Sequence, residues 1–308
     1  MTSSLFCRKN LIAVLIGASC VVANAAVAKE QVQPHTAKAG EKWVLQEDRS
    51  DEFEFEDTRK WDFQPNPFQI WTWDKKNAIV EDGTLKLTAS YEEHLRKFED
   101  GCNEKTIYDF PLFFKSGMVK SKASGTYGYY EAKMKGAHLH PGVSPAFWIY
   151  SNIDTALKNE GDIQYAEIDV VELQQDEKDA THSDHNLHNI IVKDGKPQWV
   201  RPKPNPETHQ NLHNLGFDPR EDFHIYAVNV TPEEITWYVD GEEVGKKKNL
   251  YWHKEMNVAL SMGMRGETFT RWDCNQFYPK NVTAEEAGLP TTMEVKYVRV
   301  WKQEEQVN

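Results

Sequence analysis

The segment AEIDVVELQQ, residues 166–175, places three acids among apolar side chains that otherwise read as a buried β-strand. Glu167, Asp169 and Glu172 need a reason to be there, because burying one unpaired carboxylate costs several kcal/mol. Side chains two positions apart on a strand share a face, so Glu167 and Asp169 point the same way. A β-bulge at Val170–Val171 would return Glu172 to that face. The segment therefore predicts three carboxylates in line on one surface.

Three carboxylates arranged in this way match the chemistry of glycoside hydrolysis. That reaction needs a carboxylate that attacks the anomeric carbon and a carboxylic acid that protonates the departing oxygen, about 5 to 5.5 Å apart in retaining enzymes. We interpret Glu167 as the nucleophile, Glu172 as the general acid and then base, and Asp169 as the group that orients the nucleophile. A calcium cluster and a solvated polar face remain alternatives. Against calcium, the segment lacks the Gly and Asn turn residues of a calcium loop.

The rest of the chain supplies strands that could position these acids. Period-two alternation of apolar and polar residues recurs at 84–90, 129–135, 224–230 and 235–241. Asp240–Gly241 predicts a type I′ hairpin turn. Many short strands separated by Gly and Pro turns predict an all-β antiparallel sandwich or barrel. A two-sheet β-sandwich jelly roll of this size would bend one sheet into an open substrate cleft.

Composition excludes one class of partner and suggests another. The formal charge of −12 argues against nucleic acid, because phosphate binding needs a basic footprint. Aromatic residues make up 12% of the chain and include ten tryptophans. Such a content is common in secreted carbohydrate-binding domains, although Trp is also a good core residue.

The first 28 residues have the pattern of a secretory signal peptide. Arg8 and Lys9 precede an apolar run from Leu11 to Ala23, followed by small residues. The run is shorter than the roughly 20 residues that cross a bilayer, so we expect a soluble, secreted or periplasmic protein without membrane contact. We expect 1–28 to be the signal peptide, 29–42 a flexible N-terminal segment, and 43–308 a single catalytic β-sandwich domain.

The cysteines fit an oxidising compartment. Cys7 and Cys20 would leave with the signal peptide, and we expect Cys102 and Cys274 to form one long-range disulfide. Lipid anchoring through Cys20 is a minor alternative, because Gly17 stands where a larger aliphatic residue is usual.

The segment EIDVVE resembles the E-x-D-x-x-E signature of glycoside hydrolase family 16, in the form with the extra bulge residue. Three more parts of the chain are similar to family landmarks: GTYGYYEAKMK with PAFWIY, DFHIYAVNVTPEEITWYVDGEEV, and the closing MEVKYVRVWK. Together the four cover nearly all of the mature chain. The resemblance implies a concanavalin-like jelly roll and endo-acting, retaining hydrolysis of β-linked polysaccharides.

Within that family, EIDVVELQQ followed by HSDHNLHNIIV, QWVRP and LSMGMRGE looks most like κ-carrageenases and their furcellaran-degrading relatives. This resemblance implies that Trp148 and Trp199 stack on sugar rings, that His188 binds near the nucleophile, and that Arg201 and Arg265 meet sulfate esters. Arginine suits sulfate because its planar fork matches the oxygens of such anions. The alternatives are core tryptophans and surface ion pairs. We also expect Trp71 and Trp73, in IWTWD, to form a second aromatic platform.

We expect neither a cofactor nor a bound metal. His182, His185 and His188 recur every third residue, a spacing that does not bring three imidazoles together on a strand or loop. Many family members bind a structural calcium with an aspartate of the final strand, and Lys296 stands where that acid is expected. A structural calcium is therefore doubtful.

The preferred interpretation is a secreted, monomeric, endo-acting retaining hydrolase of β-1,4 linkages in sulfated red-algal galactans, either κ-carrageenan or a furcellaran-type hybrid. Agarase, porphyranase or β-glucanase activity is the alternative within the same family. The alternative from another class is a jelly-roll lectin that binds glycans without cutting them.

Overall fold

The alternating segments form strands that place their apolar residues between two sheets. The computed structural model describes residues 32–67, 70–174, 178–200 and 212–304. In the strand Leu85–Asp100, the side chains of Leu85, Leu87 and Ala89 are fully buried, as the alternation predicts. The all-β fold expected from the sequence is thereby confirmed.

In the described part of the chain, the first sheet has ten strands, numbered from the N terminus. They are β1 (Trp43–Leu45), β3 (Thr72–Trp73), β4 (Ala78–Val80), β5 (Leu85–Asp100), β6 (Thr106–Ser116), β8 (Gly128–Lys135), β15 (His224–Val230), β16 (Glu234–Val239), β17 (Glu242–Lys248) and β21 (Thr291–Gln303). Their order is β17-β16-β15-β8-β21-β5-β6-β3, with β1 beside β21 and β4 beside β5. Every pairing in it is antiparallel except β3 with β6.

The second sheet contains the acidic segment and has nine strands formed by described residues. They are β2 (Trp61–Asp62), β7 (Met118–Gly125), β9 (Val143–Tyr150), β10 (Ile163–Leu173), β11 (His182–Asp184), β12 (Leu187–Lys193), β13 (Lys196–Val200), β14 (His213–Asn214) and β18 (Met256–Met264). The order is β13-β12-β10-β9-β18-β7-β2, and β11 joins β10 to β14. The three acids thus lie on β10, an interior strand.

Short elements complete the described chain. The strands β19 (Thr270–Asp273) and β20 (Gln276–Pro279) form a hairpin, preceded by the single helical turn α1 (Gly266–Phe269). Turns of 3-10 helix occupy Glu47–Arg49 and Lys75–Asn77. Among the described residues, no helix has the length and apolarity that a membrane crossing needs.

One continuous apolar core fills the space between the sheets. It includes Ile168 and Val170 of β10 on one side, and Val228 and Trp237 of the ten-stranded sheet on the other. Sandwiches keep their inner faces apolar in this way, so the opposite face of each sheet is free to carry polar groups. For β10, that opposite face carries the acids.

Turn chemistry and a disulfide fix the connections. Asp240 and Gly241, between β16 and β17, both have positive φ (47° and 87°), as the predicted type I′ turn requires. Cys102, in the β5–β6 turn, is bonded to Cys274, in the β19–β20 turn, as predicted. The described part of the N-terminal segment turns twice, and the His35 backbone N–H donates to Glu131 Oε2 at 3.0 Å.

Candidate active site

A β-bulge in β10 turns Glu172 toward its acidic neighbours. Asp169 lies opposite Trp148 of β9, and Glu172 lies opposite Ala146 of the same strand. Three residue steps along β10 therefore match only two along β9. The register shifts at Val170, where the sequence predicts it. Without that extra residue, Glu172 would point into the core.

Two fully buried side chains bind the backbone carbonyls of the bulge. Trp237 Nε1 donates to the Asp169 carbonyl at 2.9 Å, and His185 Nδ1 donates to the Val170 carbonyl at 2.6 Å. Burial lowers the pKa of His185 to about 4, so the imidazole is neutral at physiological pH. Its other nitrogen lies 3.0 Å from Ser183 Oγ. The bulge carbonyls are thereby satisfied from outside the strand.

Glu167 is enclosed by a tyrosine hydroxyl and a histidine imidazole. The Tyr165 hydroxyl donates to Glu167 Oε2, and His188 Nε2 lies 3.6 Å from Oε1. Burial, followed by the negative charge of Asp169, raises the pKa of Glu167 to about 7, although His188 and the Tyr165 hydrogen bond oppose the shift. Glu167 therefore titrates near neutrality, which is typical of a catalytic carboxyl group.

Asp169 and the neighbouring strand hold this end of the site in place. His188 Nε2 lies 3.1 Å from Asp169 Oδ2. The buried Trp252 indole N–H is shared between the Glu167 carbonyl at 2.9 Å and the His188 carbonyl at 3.3 Å. One core tryptophan therefore ties β10 to β12 beside the first acid.

Glu172 has a cationic partner instead. Arg265, just after β18, approaches Glu172 Oε1 with one guanidinium nitrogen at 2.5 Å, and Asn186 Nδ2 lies 3.4 Å from Oε2. The pKa of Arg265 is raised, with the charge of Glu172 as the main cause. The Glu172 side chain is 10% exposed, whereas that of Arg265 is 54% exposed.

These groups line one cleft of about 700 Å³ on the outer face of the nine-stranded sheet. The structure brings together nine of the residues predicted from the sequence: Trp71, Trp73, Trp148, Glu167, Asp169, Glu172, His188, Trp199 and Arg265. Arg201 lies outside the described residues, as do the signal peptide and Cys20.

The cleft tryptophans differ in the surface they offer. Trp199 is 56% exposed and stacks on Tyr165, with ring centroids 5.5 Å apart. Trp148 is buried, stacks on Tyr150 at 4.3 Å, and donates its Nε1 hydrogen to Ser261 Oγ at 3.1 Å. Trp71 and Trp73 are also buried and meet edge to face at 5.4 Å. Trp199 therefore presents the largest free ring surface of the four.

Tyr165, Tyr150 and Lys120 are among the cleft residues that sequence reasoning missed. Tyr165 stands two residues before Glu167, so the alternation that identifies the acids also places its ring on their face. Lys120 has no such local signal, because its position depends on the pairing of β7 with β18 and of β18 with β9. Its Nζ lies 4.7 Å from the centre of the Tyr150 ring and donates to Asn152 Oδ1 at 3.0 Å.

The histidines of residues 182–188 diverge, as their spacing predicts. His182 contacts Asp179, His185 faces the core, and His188 faces the cleft. His188, Glu167 and Asp169 each have one potential ligand atom within 4.8 Å of the others, so they could hold a metal ion by distance alone. Each of the three already has a hydrogen-bond or ion-pair contact within the cluster. The expected absence of a metal stays a prediction.

The cleft, its bulged acidic strand and the two-sheet fold can be compared with known proteins. A family model described as "Beta-porphyranase A-D, GH16 domain" matches residues 43–303. A κ-carrageenase from Pseudoalteromonas carrageenovora is 57% identical over 271 residues, which are 88% of this chain and 67% of that protein. The chain belongs to glycoside hydrolase family 16.

Solved structures support the same placement of this family 16 enzyme. The κ-carrageenase from Pseudoalteromonas carrageenovora, solved in complex with an oligotetrasaccharide of κ-carrageenan, has a TM-score of 0.83 at 55% identity. The κ-carrageenase zobellia_236 from Zobellia galactanivorans has a TM-score of 0.76 at 37% identity. Each comparison covers 89% of this chain and 100% of the other.

The resemblance to family 16 members that bind a structural calcium implies an aspartate where this chain has Lys296. Lys296, at the position expected for their aspartate, donates from Nζ to Thr84 Oγ1 at 2.6 Å and lies 5.2 Å from the centre of the Phe223 ring. An ammonium group at this point opposes a second cation by charge repulsion. The residues present therefore do not fit a calcium site of that kind.

Proposed function

We propose that this family 16 enzyme is a secreted, endo-acting, retaining hydrolase of β-1,4 linkages in sulfated galactans of the κ-carrageenan or furcellaran type. The 57% identity to a κ-carrageenase supports this substrate class. The matched family model, which covers residues 43–303, is named for porphyranases and shows the family, whereas the 57% identity over a similar extent is to a κ-carrageenase. The κ-carrageenan oligosaccharide bound by a relative with a TM-score of 0.83 supports the same class.

The observation that carries the proposal is the bulge that sets Glu167, Asp169 and Glu172 on one face of an open cleft. Glu167 attacks the anomeric carbon and forms a glycosyl-enzyme ester, while Glu172 gives its proton to the leaving oxygen. Glu172 then takes a proton from water, which displaces Glu167 and restores both groups. Asp169 and His188 orient Glu167 through the contacts at its end of the strand.

Cations at two points of the cleft favour an anionic substrate. Arg265 stands beside Glu172 with half of its side chain exposed, and Lys120 lies in the same row of the sheet as Asp169. The backbones of Lys120 and Asp169 are three strand spacings apart, which is about 14 Å. This distance corresponds to the length of roughly three sugar rings. Sulfate esters repeated along a galactan could reach both, whereas a neutral glucan would need neither.

The test is cleavage of a panel of polysaccharides: κ-carrageenan, furcellaran, the desulfated form of κ-carrageenan, agarose and laminarin. We expect reducing ends to accumulate fastest with κ-carrageenan or furcellaran, and Glu167→Gln to bind these polymers without cutting them. NMR of the first products should show the β-anomer before mutarotation. The α-anomer would exclude a retaining mechanism, and preferential cleavage of agarose or laminarin would exclude this substrate class. Binding without cleavage by the wild type would favour a lectin.

The proposed enzyme works as a monomer without a cofactor or metal. Because acid–base chemistry accounts for Glu167, Asp169 and His188, dialysis against EDTA should leave both kcat and the thermal midpoint unchanged. Loss of activity that Ca²⁺ or Zn²⁺ restores would contradict this expectation. N-terminal sequencing of the exported protein would test removal of residues 1–28.

A further inference from the structure

In the free enzyme, the neighbours of the two glutamates of β10 are the opposite of those that their proposed roles require. The proposed acid, Glu172, contacts Arg265 at 2.5 Å, and a guanidinium at this distance stabilises the ionised form of a carboxylate. The proposed nucleophile, Glu167, has a pKa raised to about 7 and no arginine beside it among the described residues, so it holds a proton in many molecules near neutral pH. The reaction needs the reverse distribution.

We propose that Arg265 keeps Glu172 ionised until a sulfate ester of the substrate draws the guanidinium away, whereupon Glu172 acquires the proton that catalysis requires. This inference rests on the proposed function, because it needs a sulfated substrate. No additional reactant is required: one proton leaves Glu167 and one arrives on Glu172. Sulfate recognition is then coupled to the chemical step as well as to binding.

The geometry of the ion pair suits release. Only one N–H donor of Arg265 makes a hydrogen bond to the described residues, so the rest of its planar fork is available to an anion. Its side chain is 54% exposed to the cleft. The Arg265 backbone N–H is held by the Gly142 carbonyl at 2.7 Å. A rotation of the side chain alone can therefore break the pair.

Once Arg265 has left, no other cation among the described residues contacts Glu172. The carboxyl is nearly buried, and its other hydrogen-bond donor, Asn186, is neutral and 3.4 Å away. Among the described residues, the other charged groups that act on Arg265 are acids: Glu167 and Asp169 on the same strand as Glu172, and Asp184 opposite Glu172 on β11. His188 faces Glu167 and Asp169. Burial and like charge both disfavour a second ionised carboxylate.

The test compares the wild type with Arg265→Met on κ-carrageenan and on the same polymer after desulfation. We expect the wild type to lose about 10²-fold in kcat on the desulfated polymer, because Glu172 stays paired. Arg265→Met should lose at least about tenfold in kcat/KM on κ-carrageenan, because an anion contact is gone. On the desulfated polymer, it should be several-fold faster than the wild type, and the alkaline limb of its kcat/KM profile should lie at higher pH.

Arg271→Met is the matched control, since Arg271 is also half exposed but pairs with Asp273 on β19 and does not line the cleft. It should behave as wild type on both polymers. Arg265→Gln provides a second variant should Arg265→Met be unstable. The inference is overturned if neither variant exceeds the wild type on desulfated polymer, or if desulfation changes only the wild-type KM. Failure of the wild type to cut κ-carrageenan at all would instead refute the proposed function.

Discussion

The two ends of the acidic segment of β10 have different surroundings although only four residues lie between Glu167 and Glu172. Before the bulge, Glu167 contacts the Tyr165 hydroxyl and the His188 imidazole. After the bulge, Glu172 contacts the guanidinium of Arg265. Two carboxylates that must perform opposite tasks on one sugar bond are thus distinguished by their neighbours, since their own chemistry is the same.

The backbone is also held differently at the two ends. Trp252 ties the Glu167 carbonyl to β12, whereas Trp237, from the opposite sheet, and His185 bind the carbonyls of the bulge. Around Glu167, regular pairing with β9 and β12 already fixes the strand. At the bulge, the register with β9 shifts, and side chains from the core fix the backbone there instead.

Substitution of Glu167 or Glu172 should have the largest effects on kcat, and the two effects should differ in their dependence on the leaving group. Glu167→Gln should lower kcat more than about 10⁴-fold on every substrate, because no glycosyl-enzyme can form. Glu172→Gln should cost about 10² to 10⁴-fold on polysaccharide. With a dinitrophenyl glycoside of the same oligosaccharide, whose leaving group needs no proton, glycosylation by Glu172→Gln should be nearly normal. Stopped-flow release of dinitrophenol measures this step.

Azide provides a check on these assignments. It should restore turnover of the dinitrophenyl glycoside by Glu172→Gln, because a small anion can replace the water that Glu172 activates, and the product should be the β-glycosyl azide. If Glu167→Gln shows this behaviour and Glu172→Gln does not, the two roles are exchanged.

The next largest effect should come from the bulge. Trp237→Phe keeps an aromatic ring in the core but leaves the Asp169 carbonyl without its indole donor. We expect about 1 to 3 kcal/mol of destabilisation from the unsatisfied carbonyl. A small displacement of Glu172 should lower kcat on polysaccharide by up to about 10²-fold, with a smaller loss on the dinitrophenyl glycoside. Denaturant unfolding and kcat on both substrates measure the two effects.

Trp252→Phe is the matched control, because Trp252 is equally buried and also donates to β10, but at Glu167. Trp252→Phe should destabilise the protein by a similar amount, and it should lower kcat on both substrates by the same factor. Equal losses on the two substrates for Trp237→Phe would mean that the bulge contact supports the fold without positioning the acid.

The acidic strand itself could be predicted from the sequence, because strand periodicity and bulge geometry depend on residues that are close together in the sequence. The alternation of Glu167 with Ile168 and the run of three acids predict both the face and the bulge, and the all-β sandwich follows from similar patterns elsewhere. Trp148, His188 and Arg265 were assigned from resemblance, and each lines the cleft.

The residues that contact the two acids and distinguish them could not be predicted from the sequence. Trp237 and His185 bind the bulge across the core and across an irregular turn, and the sequence distance between Trp237 and Asp169 is 68 residues. Lys120 reaches the cleft only through two strand pairings. Such contacts depend on sheet order, and alternation along a single strand carries no information about which strands are neighbours.

Substitution of Lys120 should have a smaller effect on activity, and it should distinguish the role of Lys120 from that of Arg265. Lys120→Met keeps the apolar stem beside Tyr150 and removes the charge. We expect kcat/KM to fall about tenfold on κ-carrageenan and less than about twofold on the desulfated polymer, which is the size of a partly exposed charge-assisted contact. Unlike Arg265→Met, it should never exceed the wild type. Lys122→Met, on the same strand but outside the cleft, should be neutral.

The smallest effect should be a change in pH dependence at the Glu167 end. If the free enzyme acts with one proton shared by Glu167 and Glu172, kcat/KM falls on the alkaline side as that last proton leaves, near the pKa of Glu167 at about 7. The Tyr165 hydrogen bond lowers this pKa. Tyr165→Phe should therefore raise it and move the alkaline limb to higher pH, by roughly half a unit to one unit.

The maximum of the same profile should fall about 3- to 10-fold in Tyr165→Phe, because the proton stays more often on Glu167 than on Glu172. Arg265→Met on desulfated polymer should move the limb in the same direction but raise the maximum, since it favours the proton on Glu172. Tyr150→Phe, which removes a cleft hydroxyl with no described hydrogen bond to Glu167, should leave the limb in place. If Tyr165→Phe moves the acidic limb instead, Glu167 loses its proton before Glu172 in the free enzyme, and the contrast between the two ends of β10 needs no release of Arg265.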